Sequence, residues 1–169
     1  NRKPLIVNGA RQVGKTYILR EFGSHYYEKM AYVNCDKNKM LEKIFSQDYN
    51  ISRILLSLSA ILHVNIEPEN TLIIFDEIQE NPTVLNSLKY FCEDAPQYHV
   101  AVAGSLLGIS LHQDTSFPVG KVDMIKMYPM TFDEFLMAIG EQPLVDVLAT
   151  KDFFIIDSLS VRLIDCLRQ

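Results

Sequence analysis

The stretch that decides the fold is Gly9-Ala10-Arg11-Gln12-Val13-Gly14-Lys15-Thr16, which matches the pattern G-x-x-x-x-G-K-[S/T]. Glycines let the backbone turn inward, so that successive N–H groups point at one anion. The pattern assigns Lys15 to the β- and γ-phosphates of a nucleotide and the Thr16 hydroxyl to Mg²⁺. Its four fixed positions would coincide by chance in well under about one chain in a hundred of this length.

The residues on either side of this loop provide the context that the motif requires. Residues 4–8 form a short apolar run that predicts a buried strand. Apolar spacing over residues 15–22 predicts a helix, with Gly23 placed to end it. We therefore expect residues 9–16, together with the adjacent Tyr17, to bind the phosphates of a nucleotide.

A second motif, Asp76-Glu77, follows the apolar run Thr71–Phe75, which is typical of a central parallel strand. Acidic residues at the carboxyl end of such a strand lie where α/β sheets bind ligands. On its own the pair would be interpreted as a solvated pair at a strand end. With the glycine-rich loop about 60 residues upstream, it predicts a Walker B motif, in which Asp76 holds Mg²⁺ through water and Glu77 activates the attacking water. Lys15 and Glu77 are thus candidate catalytic residues.

Strands alternate with helices along most of the chain. Further strands are predicted at residues 31–35, 99–103 and 122–127, and the helices between them include one over 82–94. This alternation predicts an α/β fold with a mostly parallel five-stranded sheet flanked by helices. The spacing suggests that one strand lies between the loop strand and the strand of the acidic pair. A capping box at residues 131–134 opens another helix, and from Leu144 onward only helical patterning remains.

Two further residues are candidates for contacts with the phosphates. Ser105 ends the fourth predicted strand, where its side chain would reach the γ-phosphate or the attacking water, although Gly-Ser is also ordinary turn chemistry. Arg11 is a fixed cation inside the loop, and it meets a neighbouring acidic side chain, meets a partner subunit or is simply solvated. The segment from Leu107 to Pro118 has the weakest patterning, and we expect it to be mobile.

Composition excludes several classes of protein. The chain has 169 residues and a net charge of −5, which disfavours nucleic-acid binding through the surface of the domain itself. Its three cysteines are scattered without metal-ligand spacing, as is common in a reducing compartment. The most apolar segment, residues 54–64, is too short and too polar to span a bilayer. Because the first residue is Asn1, we expect the chain to be a piece of a longer protein.

Together these motifs resemble a known family, the prokaryotic AAA-type ATPases in which an N-terminal P-loop domain precedes a C-terminal domain of unknown function. Besides the loop, the matching stretches are Tyr32-Val33-Asn34, Phe75-Asp76-Glu77-Ile78-Gln79, Ala103-Gly104-Ser105, Ser116-Phe117-Pro118-Val119-Gly120-Lys121-Val122 and Tyr128-Pro129-Met130-Thr131-Phe132-Asp133-Glu134-Phe135-Leu136. Many members of the family have Gly-Arg where this chain has Gly120-Lys121. Lysine is not a bidentate replacement for arginine, so no catalytic role is assigned to Lys121.

The resemblance implies a cytoplasmic ATPase with an AAA-like sheet. Residues 1–140 would form the ATPase core and residues 141–169 the start of a helical lid, while the C-terminal domain would lie outside this chain. The implied cofactors are ATP and Mg²⁺. A neighbouring copy in a homo-oligomer would supply an arginine to the site, and the absent domain would contact DNA or protein.

Three hypotheses about function follow. The first is a Mg²⁺-dependent ATPase that drives or gates the attached C-terminal domain. The second is a nucleotide-gated binding module with little turnover, which switches DNA or protein binding. The third is a small-molecule kinase, which is disfavoured because phosphate transfer to an acceptor does not need the second carboxylate, Glu77, to activate water.

Overall fold

The structure is a computed structural model that describes residues 2–105 and 118–168. Its strands are β1 (Leu5–Gly9), β2 (Lys29–Asn34), β3 (Thr71–Asp76), β4 (His99–Ser105) and β5 (Asp123–Met127). The helices of the described residues are α1 (Lys15–Tyr26), α2 (Lys39–Ser46), α3 (Ile51–Leu62), α4 (Pro82–Asp94), α5 (Phe132–Ala138), α6 (Gln142–Thr150), α7 (Phe153–Ser158) and α8 (Ser160–Leu167), and a 3₁₀ turn spans Ile78–Glu80. The segment expected to be mobile lies almost entirely outside the described residues.

The five strands form one parallel sheet in the order β2-β3-β4-β1-β5. This arrangement confirms the predicted α/β class and the five-stranded sheet. One strand does lie between β1 and β3, but it is β4 rather than the strand predicted at residues 31–35, from which the expectation came. The strand that separates the two motifs in sequence, β2, lies on the other side of β3. All five carboxyl ends therefore meet at one edge of the sheet.

Helices pack against both faces of the sheet because the side chains of each strand alternate between them. Phe75 of β3 belongs to the larger apolar cluster, which includes Phe45 of α2 and Phe91 of α4. Ile74, the preceding residue, belongs to a smaller cluster that includes Leu19 of α1. Burial of a side chain of this size stabilises a fold by about 1.5–3 kcal/mol. Every residue of β3 is buried, as its continuous apolar run predicted.

Gly23 does not end the first helix, contrary to the sequence-based prediction. α1 continues to Tyr26, and Gly23 lies buried inside it. A Cβ at this position would overlap the side chain of Met30 on β2. The glycine therefore serves the packing of α1 against the sheet rather than the end of the helix.

Helix α2 was not predicted from the sequence. It is only eight residues long, too short for its apolar spacing to stand out from a loop. Its start nevertheless carries a local signal, because the Asn38 side chain accepts a hydrogen bond from the Leu41 N–H at 3.3 Å. Leu41, Ile44 and Phe45 are its buried residues.

The chain divides into two compact units, Asn1–Tyr128 and Pro129–Gln169. The second unit is helical and has its own core of Leu136, Leu144, Leu163 and Cys166. It opens on the predicted capping box, in which Thr131 and Glu134 each accept a hydrogen bond from the other's backbone N–H, at 3.2 and 2.8 Å. The assignment of residues 1–140 to an ATPase core and 141–169 to a lid stays a prediction.

Candidate nucleotide-binding site

The glycine-rich loop, residues 9–16, connects β1 to α1 at the carboxyl edge of the sheet. Its first glycine is required by close packing, since a Cβ on Gly9 would overlap the carbonyl oxygen of Met127 at the end of β5. Gly14 has a φ of 92°, a conformation that L side chains rarely adopt. Gly14 immediately precedes Lys15, so the free N–H groups of the first turn of α1 open next to the loop.

Lys15 is nearly buried, with only 8% of its surface exposed. Its Nζ donates hydrogen bonds to the carbonyl oxygens of Gly9, at 3.2 Å, and Ala10, at 2.5 Å. Both acceptors are neutral, and no carboxylate of the described residues forms an ion pair with this ammonium group. A buried charge without a counter-charge costs free energy. An anion bound within the loop would supply that counter-charge.

Thr16 and Asp76, the two predicted magnesium ligands, are in contact. The Thr16 hydroxyl donates to Oδ2 of Asp76 at 2.9 Å. Oδ2 also accepts a hydrogen bond from the Tyr32 hydroxyl at 2.7 Å, while Oδ1 accepts one from the Glu77 N–H at 3.0 Å. Asp76 is thus held by donors from α1, β2 and its own strand end.

Tyr32 is held in place by a cation on its other side. The guanidinium carbon of Arg20 lies 3.9 Å from the centre of the Tyr32 ring. Burial raises the pKa of the Tyr32 hydroxyl above 10, and the hydrogen bond and negative charge of Asp76 raise that pKa further, whereas Arg20 opposes the shift. The hydroxyl therefore keeps its proton at neutral pH and remains a donor to Asp76.

Glu77 has a left-handed backbone conformation, with a φ of 52°. The 3₁₀ turn follows directly, and Glu80 N–H donates to the Glu77 carbonyl at 3.0 Å. The Glu77 carboxylate accepts a hydrogen bond from the side-chain amide of Gln79. The carbonyl of the same amide accepts a hydrogen bond from the backbone N–H of Ser105 at 3.1 Å. Gln79 thus joins the end of β3 to the end of β4.

The remaining predicted residues lie around this centre. Ala10, Arg11 and Gln12 are exposed within the loop, and Tyr17 is 70% exposed on α1. Roles for Arg11 and Tyr17 in nucleotide binding stay predictions, as does the sensing role of Ser105. Lys121, to which no catalytic role was assigned, forms an ion pair with Glu93 at 2.8 Å.

Sequence reasoning missed the roles of Tyr32 and Gln79. Tyr32 reaches Asp76 because β2 pairs with β3 in parallel, with Asn34 opposite Asp76. Gln79 is only 7% exposed, in the 3₁₀ turn that follows β3. A signal was present in the sequence, since both residues lie in the stretches that carry the family resemblance.

The donor set fits a magnesium nucleotide. Hydroxyl and carboxylate oxygens are the ligands that Mg²⁺ prefers, and this ion usually takes only one or two protein ligands beside phosphate and water. Within residues 2–105 and 118–168, no group of three or more His, Cys, Asp or Glu side chains is arranged to hold a metal ion. The contact between the Thr16 hydroxyl and the Asp76 carboxylate makes these two residues the ones that would hold the ion, and Lys15 would neutralise the phosphates.

A family model described as "AAA domain" matches residues 1–136. The chain belongs to this family. The family and the shared fold together support a nucleotide-binding ATPase domain. Among curated proteins, none matches this AAA domain significantly.

A solved structure shows the same fold at low sequence identity. The Cdc6p structure from Pyrobaculum aerophilum has a TM-score of 0.52 and 16% identity, over 82% of this chain and 42% of that one. The Aeropyrum pernix ORC2 protein, solved in its ADP form, has a TM-score of 0.49 and 16% identity, over 83% of this chain and 46% of that one. The AAA domain thus spans less than half the length of either. In the described parts of the chain, no helix is long and apolar enough to cross a membrane.

Proposed function

We propose that this AAA domain binds ATP together with Mg²⁺ and hydrolyses it. The observation that carries the proposal is the 2.9 Å contact between the Thr16 hydroxyl and the Asp76 carboxylate, next to the buried Lys15. These three groups offer two hard oxygen ligands and one cation that has no carboxylate partner among the residues that the structure describes. Mg²⁺, when bound, would neutralise the negative charge on the phosphate oxygens.

The glycine-rich loop would hold the phosphates. Its backbone N–H groups would donate to the phosphate oxygens, and Lys15 would transfer its hydrogen bonds from the Gly9 and Ala10 carbonyls to the β- and γ-phosphates. Thr16 and Asp76 would hold the metal ion, Asp76 acting through water. The Tyr32 hydroxyl would keep the Asp76 carboxylate oriented toward Thr16.

Glu77 would orient the attacking water and accept its hydrogen bond, and Ser105 would contact the γ-phosphate or that water. Little covalent chemistry is required of the protein, because catalysis of phosphoryl transfer is mostly positioning and charge stabilisation. In support of this assignment, Glu77 directly follows Asp76, and one amide, that of Gln79, contacts both Glu77 and Ser105.

The first experiment is nucleotide binding with and without Mg²⁺ by the wild type and Lys15→Ala. We expect the variant to bind ATP about 100-fold more weakly, on the order of 3 kcal/mol, because a desolvated charge contact is lost. Lys43→Ala, which changes an exposed lysine of α2, is the matched control and should bind as the wild type does. Equal binding by all three proteins would contradict the assignment of the loop.

Phosphate release then separates hydrolysis from switching. The proposal predicts phosphate release by the wild type, and it predicts that Glu77→Gln still binds ATP but releases phosphate only at a slow residual rate. A wild type that binds ATP in a Mg²⁺-dependent way without releasing phosphate would instead favour a nucleotide-gated binding module with little turnover. Product analysis with candidate acceptors would reveal a kinase.

The role of the whole protein is a wider proposal. We infer that ATP turnover drives or gates a C-terminal domain of the same protein, with a neighbouring copy supplying an arginine and with DNA or protein as the partner. The support is the family resemblance, together with the small share, 42%, of the Cdc6p chain that this domain covers. A cytoplasmic location is part of the same proposal.

A further inference from the structure

Gln79 is a buried polar residue whose orientation is fixed from both sides. Its carboxamide oxygen accepts the Ser105 N–H at 3.1 Å, and a backbone N–H is always a donor. The oxygen of the amide must therefore face β4, which leaves the NH₂ group facing the Glu77 carboxylate. The amide oxygen thus faces a donor and the NH₂ group faces an acceptor, and neither neighbour can take the other's part in a hydrogen bond.

Backbone contacts fix the main-chain conformation of Glu77, so that only its side chain remains to be oriented. The left-handed conformation of Glu77, with a φ of 52°, costs about 1–2 kcal/mol. It is maintained by the 3₁₀ turn and by a hydrogen bond from Asn81 N–H to the Ile78 carbonyl at 3.0 Å. These contacts fix the Cα–Cβ direction of Glu77, and the amide of Gln79 then fixes its carboxylate.

We propose that Gln79 is the positioning residue for Glu77, which it orients toward the attacking water while joining it to the end of β4. The inference rests on the proposed ATPase function. Because one amide spans both contacts, the orientation of the Glu77 carboxylate depends on the position of the Ser105 backbone. Gln79 itself does not contact the reacting atoms.

The test is steady-state ATP hydrolysis and ATP binding by the full-length protein carrying Gln79→Leu or Gln79→Glu. Misplacement of a reacting group by about 1 Å costs on the order of 100-fold in rate, so we expect kcat to fall about 10- to 100-fold. The Kd for ATP should change less than about twofold, since the loop is untouched. Gln79→Glu keeps an acceptor for Ser105 but loses the donor to Glu77, so it should lose activity as Gln79→Leu does.

A double-mutant cycle separates positioning from a general structural role. If Gln79 acts through Glu77, the variant carrying Glu77→Gln and Gln79→Leu should hydrolyse ATP no more slowly than Glu77→Gln alone. Ser87→Ala is the matched control, because it removes a fully buried hydrogen bond, 2.6 Å to the Val84 carbonyl, from α4. It should lower the free energy of unfolding by about 1 kcal/mol without lowering kcat.

The outcomes distinguish the two proposals. If Glu77→Gln hydrolyses ATP slowly while Gln79→Leu hydrolyses it at the wild-type rate, the role of Gln79 is overturned and the ATPase proposal stands. Multiplicative losses in the double variant, or a Gln79→Leu variant faster than the wild type, would also overturn it. A wild type that binds ATP and releases no phosphate would overturn the ATPase proposal and this inference with it.

Discussion

The glycine-rich loop and the acidic pair Asp76-Glu77 lie at the same edge of the sheet, but they are built differently. In the loop, the contacts are made by the main chain: Lys15 bonds to two backbone carbonyls, and Gly9 abuts another. Around the acidic pair, the contacts are made mainly by side chains: Thr16 and Tyr32 come from distant parts of the sequence, and Gln79 comes from the turn that follows the pair. The loop should therefore be sensitive to backbone changes and the pair to the loss of single polar groups.

The largest effect is expected for Gly9→Ala, because the added Cβ would overlap the carbonyl oxygen of Met127. A backbone atom cannot move aside as a flexible side chain can, so the free energy of unfolding should fall by about 3 kcal/mol. Gly120→Ala is the control, with a φ of 75° but open space around the new methyl group, and it should cost about 1 kcal/mol. Urea unfolding measures both, and equal losses would contradict the argument.

The next effect is expected for Asp76→Asn, which removes the charge from the group that Thr16 and Tyr32 both contact. Affinity for ATP in the presence of Mg²⁺ should fall about 100-fold, while affinity in its absence should change little. Asp36→Asn, at an exposed site just beyond β2, should affect neither. If Asp76→Asn weakened binding equally with and without the ion, Asp76 would not hold the metal.

Much of the fold was predictable because it depends on local patterns. The apolar run of β3 predicts a buried strand, and the glycines at 9 and 14 predict the phosphate-binding loop, each from a few neighbouring residues. Gly23 misled the prediction because its reason is tertiary: it leaves room for Met30 of β2, while the helix continues past it. A single sequence does not reveal whether a glycine ends a helix or makes space for a neighbour.

The centre of the site was predictable, but the side chains that hold it were not. The motif spacing identified Thr16 and Asp76, and the fold brings them to 2.9 Å. Tyr32 reaches the same carboxylate only because of the strand order and register, which cannot be predicted from this sequence alone. No sequence pattern set Gln79 apart, because its burial depends on β4 lying beside β3.

Tyr32→Phe removes one hydroxyl and leaves the rest of the ring in place beneath Arg20. The Asp76 carboxylate then loses one of its three hydrogen bonds. A hydrogen bond of this kind contributes about 1 kcal/mol to the free energy of unfolding. Affinity for ATP with Mg²⁺ should fall about 10-fold, less than for Asp76→Asn, because such supporting contacts orient a ligand group without binding the ion. Tyr26→Phe, at a site 74% exposed, should match the wild type. If Tyr32→Phe lost as much affinity for ATP with Mg²⁺ as Asp76→Asn does, the Tyr32 hydroxyl itself would bind the ion or the nucleotide.

The smallest effect is expected in the chemical labelling of the Cys35 thiol. This residue is 1% exposed, and its backbone N–H donates to the Asp76 carbonyl at 2.9 Å. Burial raises the pKa of the Cys35 thiol to about 12, and the charges of Asp76 and Glu77 add to the shift. At pH 8 only about one Cys35 side chain in ten thousand is then a thiolate, the form that reacts. Labelling followed by mass spectrometry should leave the Cys35 peptide unmodified in the native protein and modify it in urea.

Asp76→Asn tests which cause of that shift dominates. Since burial is the larger cause, removal of the Asp76 charge should leave Cys35 almost as unreactive as before. The raised pKa also has a consequence for stability: the folded state binds the thiol proton more tightly than the unfolded state, so this contribution is present below pH 9 and is lost as the pH rises toward 12. Cys35→Ala should therefore lose less stability than the wild type between pH 8.5 and pH 10.5 in urea unfolding. Rapid native labelling of Cys35 in Asp76→Asn would show that the carboxylate, rather than burial, protects the thiol.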